Sequence, residues 1–258
     1  MGLREKILKR EFVCGTHVTM NDPSISEIMG YLGFDFLWID LEHAFISLEQ
    51  LYYHINCAKA TGTSTIVRVP QHDLTYTKKV MEMGVDGIIF PMIHSAEEAD
   101  EMISYTLYPP MGIRGCGPKR AIRYGLDSDS EYFKNGYSRT CRFIQIEQQS
   151  AVEELEEIVK NPYIDGYIFG LMDLSGSVND LGNMLGGKSM PLVERTIDVL
   201  QRNKKTIGVS VTANDFESMK TFRDLGINMI SAGADFDYIL KGASCTRENF
   251  RLLQERER

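Results

Sequence analysis

Tyr31-Leu32-Gly33-Phe34-Asp35-Phe36-Leu37-Trp38-Ile39-Asp40-Leu41-Glu42-His43 reads as a helix end, a glycine, one apolar residue, one acid, and then a short apolar run. Glycine after a helical pattern is a stop signal. A near-continuous apolar run of this length suits a parallel strand buried on both faces. The same joint returns at Glu82-Met83-Gly84-Val85-Asp86 and at Asp224-Leu225-Gly226-Ile227-Asn228, at intervals that fit whole β/α units.

Working outward from these joints, eight strand candidates cover 12–17, 36–41, 65–69, 87–91, 142–147, 166–170, 206–211 and 229–233. Helical patterns lie between them at 24–31, 48–61, 74–83, 96–106, 151–160, 191–202 and 215–225. Ser47-Leu48-Glu49-Gln50 and Ser95-Ala96-Glu97-Glu98 each place serine before an acidic first turn, which serves orphan N–H groups and the helix dipole. Eight strands in this rhythm predict an α/β fold, a closed (β/α)₈ TIM barrel, as one domain over 1–258 with a helical extension from about 246. A doubly wound open sheet is the competing arrangement, but no glycine-rich phosphate loop follows any strand. The interval between Pro91 and Arg142 exceeds one helix, and long loops in compact domains are more often functional than idle.

Composition narrows the function. Hydrophobic residues make up 43% of the 258 and charged residues 25%, ordinary globular values. A net charge of −8 without a lysine or arginine run argues against nucleic acid as a partner. No apolar run approaches the length of a membrane span, and the N-terminus lacks the core of a secretion signal. Five scattered cysteines without a C-x-x-C pair fit a reducing compartment and buried structural thiols, so a cytoplasmic protein is expected.

A barrel of this kind carries its chemistry at the C-terminal ends of its strands. Those ends read His17, Asp40/Glu42/His43, Arg68, Pro91, Gln145/Glu147, Asp173, Ser210/Thr212 and Ala234/Asp235. His43 directly follows a carboxylate at a strand end, and imidazole is well poised for proton transfer near neutral pH. An isolated D-x-E-H is more often a loop histidine beside a helix-capping acid. Glu147 and Asp173 end adjacent strands and would leave open positions on a hard cation such as Mg²⁺ or Mn²⁺, although Asp173 alone reads as a helix cap. Arg68 ends a strand just before Pro70, where an inward guanidinium needs an anion; an outward place on the rim is equally compatible.

Taken in order and spacing, several segments resemble the HpcH/HpaI family of class II pyruvate aldolases, whose members act on 2,4-dihydroxyhept-2-enedioate, 2-dehydro-3-deoxygalactarate and 2-keto-3-deoxyrhamnonate. The segments are Gly33 through Ala44, Val67-Arg68-Val69-Pro70, Tyr108-Pro109-Pro110-Met111-Gly112-Ile113-Arg114-Gly115, Ile144-Gln145-Ile146-Glu147 and Gly170-Leu171-Met172-Asp173-Leu174-Ser175. The resemblance implies a barrel of the phosphoenolpyruvate/pyruvate-binding type that cleaves a 2-keto-4-hydroxy acid to pyruvate and an aldehyde. It implies a divalent metal (Mg²⁺, Mn²⁺ or Co²⁺) on Glu147 and Asp173, with Gln145 and the segment at Met172 against the pyruvate unit. Arg68 would stabilise the enolate oxygen, His43 would serve as base with Glu82 orienting it, and Asp40 and Glu42 would hold the neighbourhood together. A homo-oligomer, a hexamer, is implied as well. The chain departs from the family pattern at Glu82, where a shorter acid is usual, and at Met172, where a small residue is usual. An acyl-CoA lyase, an oxaloacetate decarboxylase or a non-catalytic binding relative would use the same barrel.

Overall fold

The computed structural model describes residues 2–70 and 72–256. Eight strands, β1 Val13–Val18, β2 Phe36–Asp40, β3 Ser64–Arg68, β4 Gly87–Phe90, β5 Cys141–Ile146, β6 Gly166–Phe169, β7 Thr206–Val211 and β8 Met229–Ala234, pair in parallel and in chain order. Strand β8 pairs with β1, so the barrel is closed. The helices are α1 Leu3–Leu8, α2 Ser24–Tyr31, α3 Leu48–Ala60, α4 Leu74–Glu82, α5 Ala96–Ser104, α6 Asp129–Asn135, α7 Gln149–Glu153, α8 Leu155–Ile158, α9 Leu171–Ser177, α10 Met190–Arg202, α11 Phe216–Asp224 and α12 Asp235–Arg256.

The recurrent joint has a physical cause at the lower rim of the barrel. Gly33, Gly84 and Gly226 all take positive φ, the left-handed turn that ends a helix without strain only in glycine. The acid or amide two residues on then reaches sideways. Asp35 accepts the backbone N–H of Cys14 at 2.9 Å, Asp86 that of Thr65 at 2.9 Å, and Asn228 that of Ile207 at 3.0 Å. Each side chain thus serves a strand-start donor of the preceding strand. Asp165 does the same for Arg142, and it also holds Arg4 of α1 at 2.8 Å.

The core has two parts. One fills the barrel: Val13, Phe36, Trp38, Ile66, Ile89, Phe143, Ile168 and Met229 interdigitate, and Leu3 and Ile7 of α1 join them from below. The amphipathic N-terminal segment is therefore a plug on the lower end. The other part is the larger apolar layer between strands and surrounding helices. The region expected as one helix over 151–160 is broken into α7 and α8, and 171–177 is helical where no helix was expected. The five cysteines are free, but only Cys141 is buried; Cys14, Cys116 and Cys245 are exposed, contrary to the expectation of buried thiols. Among the described residues no helix is long and apolar enough to cross a membrane.

Candidate active site

Strand side chains alternate inward and outward, so the inward series that starts in the apolar core continues upward to the mouth. On β1 it runs from Val13 to His17, on β2 from Phe36 through Trp38 to Asp40, on β3 from Ile66 to Arg68, and on β5 from Phe143 to Gln145. The top of the barrel interior is thereby polar while everything beneath it is apolar. That layer splits into two halves.

One half is a continuous network. Arg68 donates through Nε to Asp40 Oδ1 at 2.9 Å and through Nη2 to Oδ2 at 2.5 Å, a two-pronged contact. Its Nη1 lies 3.0 Å from Glu42 Oε2 and 3.3 Å from Gln145 Oε1, and its guanidinium carbon sits 5.4 Å above the Trp38 ring. Gln145 in turn donates to Glu147 Oε2 at 3.2 Å. Burial opposes charge on both Asp40 and Arg68. Their mutual hydrogen bonds and attraction outweigh it, lowering the aspartate pKa and raising that of the guanidinium.

Glu147 occupies a made-to-measure seat. Its Oε1 accepts the backbone N–H of Met92, and Gly170 leaves room for Oε2: a Cβ on Gly170 would lie 2.3 Å from that oxygen. Burial pushes the Glu147 pKa up to about 7, and the charges of Glu42 and Asp173 push the same way. Glu42 is also raised, chiefly by burial, with Asp40 and Asp173 adding to it. Asp173 lies exposed in the first turn of α9, behind Gly170. The charges of Glu42 and Asp173 reach Glu147, a negative setting that a divalent cation would complement. Among the described residues no three His, Cys, Asp or Glu side chains form a closed metal cage. Two carboxylates with open positions, Glu147 and Asp173, fit a divalent ion that shares its shell with substrate.

His43 stands at the rim, with its Nε2 3.8 Å from Glu42 Oε2 and its side chain 69% exposed. Asp40 Oδ1 accepts the backbone N–H groups of Glu42 and His43, so the aspartate shapes the loop that carries the histidine. The expected pairing of Glu82 with His43 inside one chain is corrected by the topology. Helix α4 runs back down the barrel, so Glu82, at its last turn, lies at the opposite end from His43. Its carboxylate is bonded to Arg114 at 2.9 Å. Arg114 comes from the Tyr108–Gly115 segment, and its guanidinium stacks on Tyr108 at 4.6 Å. That segment organises the lower rim and takes no part in the mouth.

The sequence model of the HpcH/HpaI aldolase/citrate lyase family matches residues 14–241. The chain belongs to this family. A hydroxypyruvate/pyruvate aldolase of Roseovarius nubinhibens is 28% identical over 243 residues, covering 93% of each chain. A 2-dehydro-3,6-dideoxy-6-sulfogluconate aldolase of Pseudomonas putida is 34% identical over 179 residues, 69% of each. The crystal structure of an HpcH/HpaI aldolase from Desulfitobacterium hafniense superimposes with a TM-score of 0.87 at 26% identity, covering 99% of this chain and 97% of that one. Like these relatives, the chain is a carbon–carbon lyase.

Within this family member, Asp40, Arg68, Gln145 and Glu147 meet directly, Asp173 and Met172 adjoin them, and His43 borders them. Glu82 does not reach them. Glu42, expected with Asp40 to hold this neighbourhood, lies on Arg68. Two contributors escaped the sequence reading. The Met92 N–H has no side-chain signal at all. His17 was visible as a strand-end histidine but had no assigned task.

Proposed function

We propose that the chain is a divalent-metal-dependent aldolase that cleaves a 2-keto-4-hydroxy acid of the 2-keto-3-deoxy sugar type into pyruvate and an aldehyde. The observation that carries this reading is Glu147: a buried acid seated by the Met92 N–H and the gap at Gly170, and joined through Gln145 to an immobilised guanidinium. Mg²⁺, Mn²⁺ or Co²⁺ held by Glu147 and Asp173 would supply Lewis acidity to the keto group.

The other tasks fall to the chain itself. Gln145, tied to both Arg68 and Glu147, orients the donor's carboxylate end. Arg68 carries a fixed positive charge to the keto oxygen, where negative charge collects as the C3–C4 bond breaks. Because Asp40 and Glu42 already hold the guanidinium, little reorganisation accompanies that step. His43 takes the proton of the C4 hydroxyl, the C3–C4 electron pair passes into the keto group, and the proton returns at C3 to give pyruvate. Met172 stands beside Asp173 at the donor's flank, half exposed.

Glu82 stays with the lower rim: one carboxylate oxygen is held by Arg114 and the other is buried. A homo-oligomer, a hexamer, belongs to this reading as well. The cytoplasm is the expected location. A pyruvate-release screen across 2-keto-3-deoxy sugar acids, with and without EDTA, tests the proposal. Release that vanishes with EDTA and returns with Mn²⁺ is expected; release indifferent to EDTA refutes it.

A further inference from the structure

The second half of the polar layer makes no hydrogen bond to the network around Arg68 among the described residues. His17 on β1 stacks on Trp38 with ring centroids 4.5 Å apart. Its Nδ1 is 3.1 Å from the Ser231 hydroxyl on β8, and its Nε2 is 3.4 Å from the Ser210 hydroxyl on β7. From His17 and Ser210 a cavity of about 480 Å³ opens between apolar walls at Met172, Leu185 and Phe222 and polar ones at Thr212, Asp215 and Asp237. It begins next to Asp173, so it adjoins the place of the donor.

Two features set its chemistry. Hydroxyls and an imidazole lie at its inner end, and no lysine or arginine lines it among the described residues. Burial, then the nearby Arg68 charge, lowers the His17 pKa to about 4, so the ring brings no positive charge at neutral pH. Asp215, its pKa lowered by hydrogen bonds from Ser218, adds a negative one. A carboxylate, sulfonate or phosphate entering here would leave water without finding a cation, whereas a hydroxyl finds donors and acceptors.

We propose that this cavity is the acceptor subsite, and that it selects an uncharged, hydroxyl-bearing aldehyde through His17 and Ser210. The inference rests on the aldolase reading above. For a carbon–carbon bond to form, the aldehyde carbon must come within about 3–3.5 Å of the donor methylene. The cavity begins at Met172, and His17 also lines the hollow that reaches His43, so the aldehyde oxygen can face the base while the rest of the acceptor lies here.

The test pairs aldol addition with donor activation. Pyruvate methyl deuterium exchange is followed by NMR, and aldol rates are measured with size-matched glycolaldehyde and glyoxylate in the presence of Mn²⁺. The wild-type protein should prefer glycolaldehyde by about tenfold or more in kcat/KM. His17→Phe, which keeps the stacking ring, and Ser210→Ala should each raise the KM for glycolaldehyde by roughly three- to tenfold, the range for one lost neutral hydrogen bond. The KM for pyruvate should not follow. Thr212→Arg should shift the preference toward glyoxylate. A wild-type preference for glyoxylate, or a KM for pyruvate that rises in step with that for glycolaldehyde, overturns the assignment. Absence of deuterium exchange in the wild-type protein instead sinks the aldolase reading itself, and this inference with it.

Discussion

Gly170 shows how far a single residue determines the site. Its missing Cβ is the space that Glu147 Oε2 occupies, so Gly170→Ala should displace the carboxylate while leaving the barrel intact. Turnover should then fall about as far as in Glu147→Ala or Asp173→Ala, the two variants expected to abolish metal-dependent pyruvate release. Circular dichroism should show all three folded; normal turnover in Gly170→Ala would mean that Glu147 need not sit where it does. His17 gives a second prediction at this scale. Its folded pKa of about 4 lies below the ordinary 6.5, depressed first by burial and then by Arg68. The unfolded chain therefore takes up a proton as pH falls through 6.5, and the folded one does so only near 4. Stability is present above 6.5 and drains away between those values. At pH 5 the loss should be on the order of 1–2 kcal/mol. Urea titrations at pH 7 and pH 5 should show a shallower acid loss for His17→Phe than for the wild-type protein. Parallel losses would show that the imidazole protonates as readily folded as unfolded.

At the scale of elements, the junction of β8 and α12 is held by one buried carboxylate. Asp235 accepts the Thr19 and Met20 backbone N–H groups at 2.8 Å each, the Thr19 hydroxyl at 2.6 Å and the Phe236 N–H at 3.0 Å. It thus pins the loop after β1 to the start of the last helix. Asp235→Ala strands four donors and should lower stability by about 3–5 kcal/mol, with Asp235→Asn losing less. An unchanged urea midpoint would contradict this role. Elements were also what the sequence showed best. The strand runs and glycine joints located all eight strands to within a residue or two, because burial on both faces writes itself as apolar runs. Arg68, Gln145 and Glu147 were legible because polar groups cap those runs. What stayed hidden depends on direction and on backbone. The chain order of Arg68 and Glu82 suggests neighbours, but a helix that returns down the barrel carries Glu82 to the far end. The Met92 N–H that seats Glu147 is a backbone group with no identity in the sequence. The helix at 171–177 was missed because its glycine and two serines are weak helix formers.

For the whole molecule the decisive element is α12, 22 residues long and exposed beyond its first turns. Phe236, Ile239, Leu240, Phe250, Leu252 and Leu253 lie bare along it, more apolar surface than a solitary helix keeps in water. Light scattering should therefore find an oligomer, and removal of residues 243–258 should lower its mass. Glu82 acts within its own chain, where holding Arg114 against the Tyr108 ring is the work its position allows. Glu82→Ala should therefore lower the urea midpoint, whereas His43→Ala should lower turnover at an unchanged midpoint.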